Sequence, residues 1–151
     1  VFPWLGPDET PADVLADLKT DEGTLSIFQV EDRTLVDDVL AAFASIRNDV
    51  VNLDYVLFDP AVIRECGIKV VTKKGETPDA RVNDWHLDLT ELTTEKLHVL
   101  ASKIFRTAER DRKSWKEVGK LVSDAISSGR ISETSLHQEM VQKLRKKRFL
   151  A

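Results

Sequence analysis

The feature that most constrains the fold is a change of hydrophobic period near residue 90. Between Thr24 and Thr90, short β-rich runs alternate with helix-period segments, whereas from Thr93 onward the apolar residues keep the 3.6-residue spacing of helices. Such a chain forms a small sheet with its first helices and then adds a helical layer.

Thr24 to Val30 read as a first strand of nearly period two. Asp32 then stands in N-cap position before a helix whose Leu35, Val36, Val39, Leu40, Phe43 and Ile46 share one face. Leu53 to Phe58 form an apolar run of strand length, the pattern of a central strand covered on both faces. Asp59 and Pro60 open a short helix that Gly67 closes, and Ile68 to Thr72 supply a third strand. The turn-rich stretch 73–79 reads as a loop and about 80–89 as a fourth strand. The order is β-α-β-α-β-β, and the right-handed crossover rule makes the first three strands parallel with the fourth as a hairpin edge. The expected class is α+β: a small mixed sheet of about four strands, followed by a C-terminal layer of two or three helices.

In the helical part, Thr93 or Thr94 caps a stripe of Leu97, Leu100, Ala101, Ile104, Phe105 and Ala108. Ser114 and Glu117 carry the capping-box spacing ahead of Trp115, Val118, Leu121, Val122, Ala125 and Ile126. The apolar register runs from Leu97 to Trp115 almost without slippage, so the pattern admits one helix of about 35 residues or two separate helices over 93–128, against an ordinary mean of about 11–12. Ser132 is expected to cap a last helix carrying Leu136, Met140, Val141 and Leu144. The basic run at its end complements the negative pole of a helix C-terminus.

Residues 1–23 read as an arm and short helix. Prolines 3, 7 and 11 exclude a regular element before Ala12, and Thr10-Pro11 has the cap-then-proline order that starts a helix. Phe2, Trp4 and Leu5 on the arm need an apolar surface, on this chain or another, since each forfeits about 1.5–3 kcal/mol if left in water. Residues 24–151 are expected to form one domain, 24–90 sheet-forming and 91–151 helical. A chain of 151 residues with 42% apolar content is long enough for one core.

A single cysteine excludes an internal disulfide framework and a self-contained thiolate metal knuckle, and fits a reducing compartment, with the cytoplasm as the default expectation. Cys66 falls at the end of a helix beside Glu65, where a thiolate is disfavoured. No run approaches the roughly 20 apolar residues of a membrane span. The glycines form neither phosphate-cradling loop, and no nucleophile elbow or zinc-binding helix motif occurs. No cofactor and no metal are expected.

The formal net charge of -4 conceals an asymmetry: residues 1–100 carry 9 Lys and Arg against 20 Asp and Glu, while residues 101–151 carry 13 against 6. Such a division marks either internal neutralisation or a basic region that meets a partner. The leading reading is a non-catalytic protein-interaction or regulatory protein. It would use Phe2, Trp4 and Leu5 of the arm and the narrow apolar stripe Leu136, Met140 and Leu144 to hold a protein partner or a second copy. The alternative is a nucleic-acid-binding module. Lys103, Arg106, Arg110 and Lys113 would line one helix face, with Arg112, Lys116 and Lys120 on a neighbouring stripe and Lys143, Arg145, Lys146, Lys147 and Arg148 at the end. Trp115 would be available for stacking.

A third reading places acid-base or metal chemistry at Asp84, His86 and Asp88, which share one face if their segment is a strand. Two carboxylates would raise the proton affinity of the imidazole, or His86 and Asp88 would ligate a metal with His98 or His137. The same charges also serve an exposed edge strand as protection against edge pairing.

Overall fold

The computed structural model describes residues 15, 16, 18 and 20–151. Phe2, Trp4, Leu5 and the expected Thr10-Pro11 cap lie outside these described residues. The chain is α+β, in the order β1 Leu25–Phe28, α1 Val36–Ser45, β2 Leu53–Leu57, α2 Ala61–Glu65, β3 Lys69–Thr72, α3 Ala80–Asn83, β4 His86–Thr90, α4 Thr94–Thr107, β5 Glu109–Lys113, α5 Trp115–Ser127 and α6 Gln138–Lys146. Short 3-10 turns at Arg33–Leu35 and Glu133–Ser135 precede α1 and α6.

The expected caps form where the chemistry is local. Thr93 Oγ1 accepts from Lys96 N–H at 3.2 Å, and Asp59 Oδ1 accepts from Ala61 N–H at 2.7 Å. Ser114 and Glu117 close a full capping box, with Ser114 N–H donating to Glu117 Oε2 at 2.8 Å. Asp32 caps the 3-10 turn rather than α1 itself, accepting from Thr34 N–H at 2.7 Å. Ser132 likewise flanks a 3-10 turn without a side-chain cap bond, and α6 begins only after His137.

The sheet departs from the expectation. Two antiparallel sheets replace one mixed sheet: three strands in the order β1-β4-β3, and a separate ribbon of β2 with β5. β2 and β3, expected as parallel neighbours, lie in different sheets, because β2 pairs with β5, a strand without apolar alternation in its sequence, and β3 pairs with β4. The segment 93–128 resolves into two helices, because Ala108 turns extended at φ -74°, ψ 141° and β5 follows. The expected fourth strand starts only at His86. Ahead of it stands α3, capped by Asp79, whose Oδ1 accepts from Arg81 N–H at 3.1 Å.

The described residues divide into two compact units, and both draw on sequence from either side of residue 90. The first holds the described residues up to Ile27, then 54–72 and 87–111. Its core gathers Val62 and Ile63 of α2, Ile68, Leu89 of β4, Leu92, and Leu100, Ala101 and Ile104 of α4, with Leu15, Leu18, Leu25 and Ile27 packed against them. β4 is the central strand. It pairs Val70 with Leu89 and Val71 with Asp88 on the β3 side, and on the β1 side Ser26 Oγ donates to Asp88 Oδ1 at 2.9 Å.

The second unit comprises 28–53, 73–86 and 112–151. Here α1 packs on α5, and buried Ala41, Ala42, Ala44 and Ser45 present a small-residue face. Buried Asn83 organises the loop before α3: it donates to Thr77 O at 2.8 Å and accepts from Thr77 N–H at 2.7 Å. The Phe149 ring fills the space that a Cβ on Gly119 of α5 would occupy.

Candidate functional site

Of the three acid-base candidates, His86 and Asp88 lie two apart on β4. Asp84 is not on the strand. It is the exposed C-cap of α3, with Lys74 Nζ 3.3 Å from its carboxylate. The Nδ1 of His86 lies 2.8 Å from the carbonyl of Lys73, which can only accept, so Nδ1 carries a proton. The His86 ring stands edge-on to Phe28 with centroids 5.3 Å apart. Asp88 is buried and held by Ser26. His98 and His137 are exposed, and among the described residues no group of three or more His, Cys, Asp or Glu side chains could hold a metal. Burial pushes the Cys66 thiol up from its ordinary range, with Glu65 adding to the effect and Lys103 opposing it, so the thiol stays protonated at neutral pH.

The apolar stripe of the last helix is also committed internally. Leu136, Met140 and Leu144 are all buried within the chain, so they form core rather than a free docking face. A narrow stripe looks the same in sequence whether the surface covering it belongs to this chain or to another.

The basic row is broken. Arg110 and Lys113 sit on β5, not on a helix with Lys103 and Arg106. Lys103 pairs with Glu65, and the Arg110 guanidinium lies over the Phe105 ring at 4.9 Å while donating to the Phe105 carbonyl. Arg106 is exposed at the end of α4. In the second unit, Lys113 lies 3.1 Å from Asp37, Lys143 3.4 Å from Asp49 and Arg145 2.7 Å from Glu133. Arg130 pairs with Asp38 and stands 3.6 Å from Asp79. Apart from Arg145, whose partner Glu133 is also C-terminal, these paired cations fall on acids of residues 1–100, and part of the asymmetry is neutralised internally. The second unit as a whole carries 15 Lys and Arg against 12 Asp and Glu.

Two surfaces stand out once these pairs are set aside. In the second unit, Lys116, Lys120, Lys146, Lys147 and Arg148 form no ion pair within 4 Å among the described residues, although Lys147 is close enough to the Asp49 carboxylate to interact with its charge. Lys147 Nζ lies 4.4 Å and Lys116 Nζ 5.6 Å from the Trp115 ring centroid, and Phe149 meets the same ring edge-on at 6.1 Å. The ring face that would stack on a base is thus occupied by ammonium groups. In the first unit, β3 is an outer strand with all four residues exposed, including Val70 at 44% and Val71 at 39%. Within the strand Lys69 is the one charged residue, and its ammonium is paired with Glu91 at 2.7 Å. Sequence reasoning placed these valines inside a sheet. The Val-Val pair was a visible signal of a strand, but its position at an edge was not.

No helix among the described residues is long and apolar enough to cross a membrane. No protein-family model, curated protein or solved structure matches this chain.

Proposed function

We propose that this chain is a non-catalytic protein-interaction module and that β3 is its contact strand. The supporting observation is the outer edge of Lys69–Thr72, where valines are exposed on both faces of a strand that, among the described residues, is hydrogen-bonded on one side only. The outer side of an edge strand presents backbone N–H and C=O groups ready to pair with another chain. Natural edges are guarded by charge, proline or a bulge. Apolar residues on both faces are the pattern of an interior strand. β3 reads as a strand whose outer neighbour comes from a partner: an extended segment with β-branched residues opposite Val70 and Val71, held by backbone hydrogen bonds and cross-strand packing. Phe2, Trp4 and Leu5 of the arm provide a second apolar contact in the same reading.

The test is amide-resolved NMR with a synthetic peptide of alternating Val and Thr as the probe. The reading requires shifts centred on Lys69–Thr72 that are lost in the V70K/V71K double variant while its circular dichroism stays unchanged. Shifts confined to other segments, or none at millimolar peptide, would reject it.

A further inference from the structure

We propose that the second unit carries a separate binding site for the phosphodiester backbone of a nucleic acid, formed by Lys116 and Lys120 of α5 with Lys146, Lys147 and Arg148 at the chain end. Its basis is the distribution of charge left after internal pairing. Lys113, Arg130, Lys143 and Arg145 each pair with a carboxylate within 4 Å, whereas none of these five cations does so among the described residues, and of the five Lys147 has a carboxylate, Asp49, near enough to feel its charge. Four of them, all but Lys147, are exposed, so their charge reaches solvent.

The five cations are held as a group. Ser123 Oγ of α5 donates to the Phe149 carbonyl at 2.7 Å, and the Phe149 ring lies over Gly119 and against Trp115. Trp115, Gly119 and Ser123 are spaced by four and form one line along α5, and Lys116 and Lys120 form the adjacent line. The chain end therefore brings Lys146, Lys147 and Arg148 to the helix that bears Lys116 and Lys120. Lys147 is anchored twice, over Trp115 and by donation to Val50 O at 3.0 Å. Arg148 takes a left-handed φ of 64° as the chain turns back toward α5.

A cluster of ammonium and guanidinium groups with no base-reading side chain among them binds by charge, independently of sequence. A backbone fits this surface better than a bilayer does. The aromatic and apolar groups at its centre, Trp115 and Phe149, are turned onto each other rather than outward, which leaves no wedge for the acyl region.

The experiment is fluorescence anisotropy with a labelled oligothymidylate across a salt series. If all five cations contact phosphates, the slope of log K against log salt is about -3.5, and affinity falls about a hundredfold between 50 and 200 mM salt. K116Q/K120Q and K146Q/R148Q should each flatten the slope by about 1.4, since each removes two contacts. R64Q, an exposed cation of the other unit, should leave it unchanged. Lys147 stays in place because it also supports the local fold. Absence of binding at 50 mM salt, or an equal effect of R64Q, would overturn the site. So would binding to vesicles containing phosphatidylserine without binding to the oligonucleotide. Because β3 lies in the other unit, V70K/V71K should leave oligonucleotide affinity intact, which separates the two proposals.

Discussion

The guanidinium of Arg130 stands 3.6 Å from the carboxylate of Asp79, a side chain only 2% exposed and 51 positions away in sequence. The same guanidinium pairs with Asp38, while Arg81 reaches Asp79 at 3.5 Å. Two acids and two bases thereby close a charge-balanced cluster joining α1, the start of α3 and the segment between α5 and α6. Removing Arg130 leaves a buried carboxylate with a single, more exposed partner. Arg130→Met should cost about 2 kcal/mol, reduced from the fully buried case because Arg130 is itself 22% exposed. The shift in the urea midpoint checks it.

Met140→Ala and Leu144→Ala should each destabilise the protein by about 2–5 kcal/mol, because both side chains are fully enclosed and truncation leaves a cavity. Denaturant unfolding measures this. A stripe reserved for a partner would instead leave the stability of the isolated chain almost unaltered.

Gly119→Ala places a methyl group where the Phe149 ring lies. The ring must leave, which removes its edge contact with Trp115, while alanine favours the helix by about 1 kcal/mol over glycine. The expected result is a changed near-ultraviolet circular dichroism and Trp emission with little change in melting temperature. An unaltered spectrum would contradict the packing.

Asp49 is held below the ordinary carboxylate range. Burial works against this but is outweighed by the Val50 N–H bond at 2.7 Å and by Lys143 and Lys147. A depressed carboxylate contributes stability that is present above its unfolded pKa and lost as pH falls through its folded one. Wild type should therefore exceed Asp49→Asn in stability at neutral pH, and the two should converge in acid below the usual carboxylate range. Paired urea titrations at several pH values measure the difference.

The Cys66 thiol, pushed up by burial, should react with iodoacetamide at neutral pH more slowly than an unperturbed thiol. The rate should rise through a pH range higher than that of a model cysteine, as followed by mass spectrometry.

Much of the helical architecture was legible because its signals are short-range. Thr93, Ser114 with Glu117, and Asp59 bond to backbone or side-chain groups within three residues, so the relevant chemistry lies inside any small window of sequence. β5 was hidden for the opposite reason. Glu109-Arg110-Asp111-Arg112-Lys113 has no apolar alternation and becomes a strand by pairing with β2, where Tyr55 Oη donates to Asp111 Oδ2 at 2.9 Å across 56 positions. Asp84 left the acid-base grouping for a similar reason: a strand running from residue 80 would have aligned it with His86 and Asp88, which do share β4, but the Asp79 cap diverts 80–83 into a helix.

The sequence by itself determined the α+β class, the capped starts of α4 and α5 and the polar loop before α3, since local hydrogen bonding and hydrophobic period suffice for each. Only the tertiary structure decided which strand partners which, that Leu136, Met140 and Leu144 are interior, and which cations are paired with a carboxylate. Those outcomes depend on groups tens of residues apart meeting in space, and neither spacing nor composition encodes that meeting.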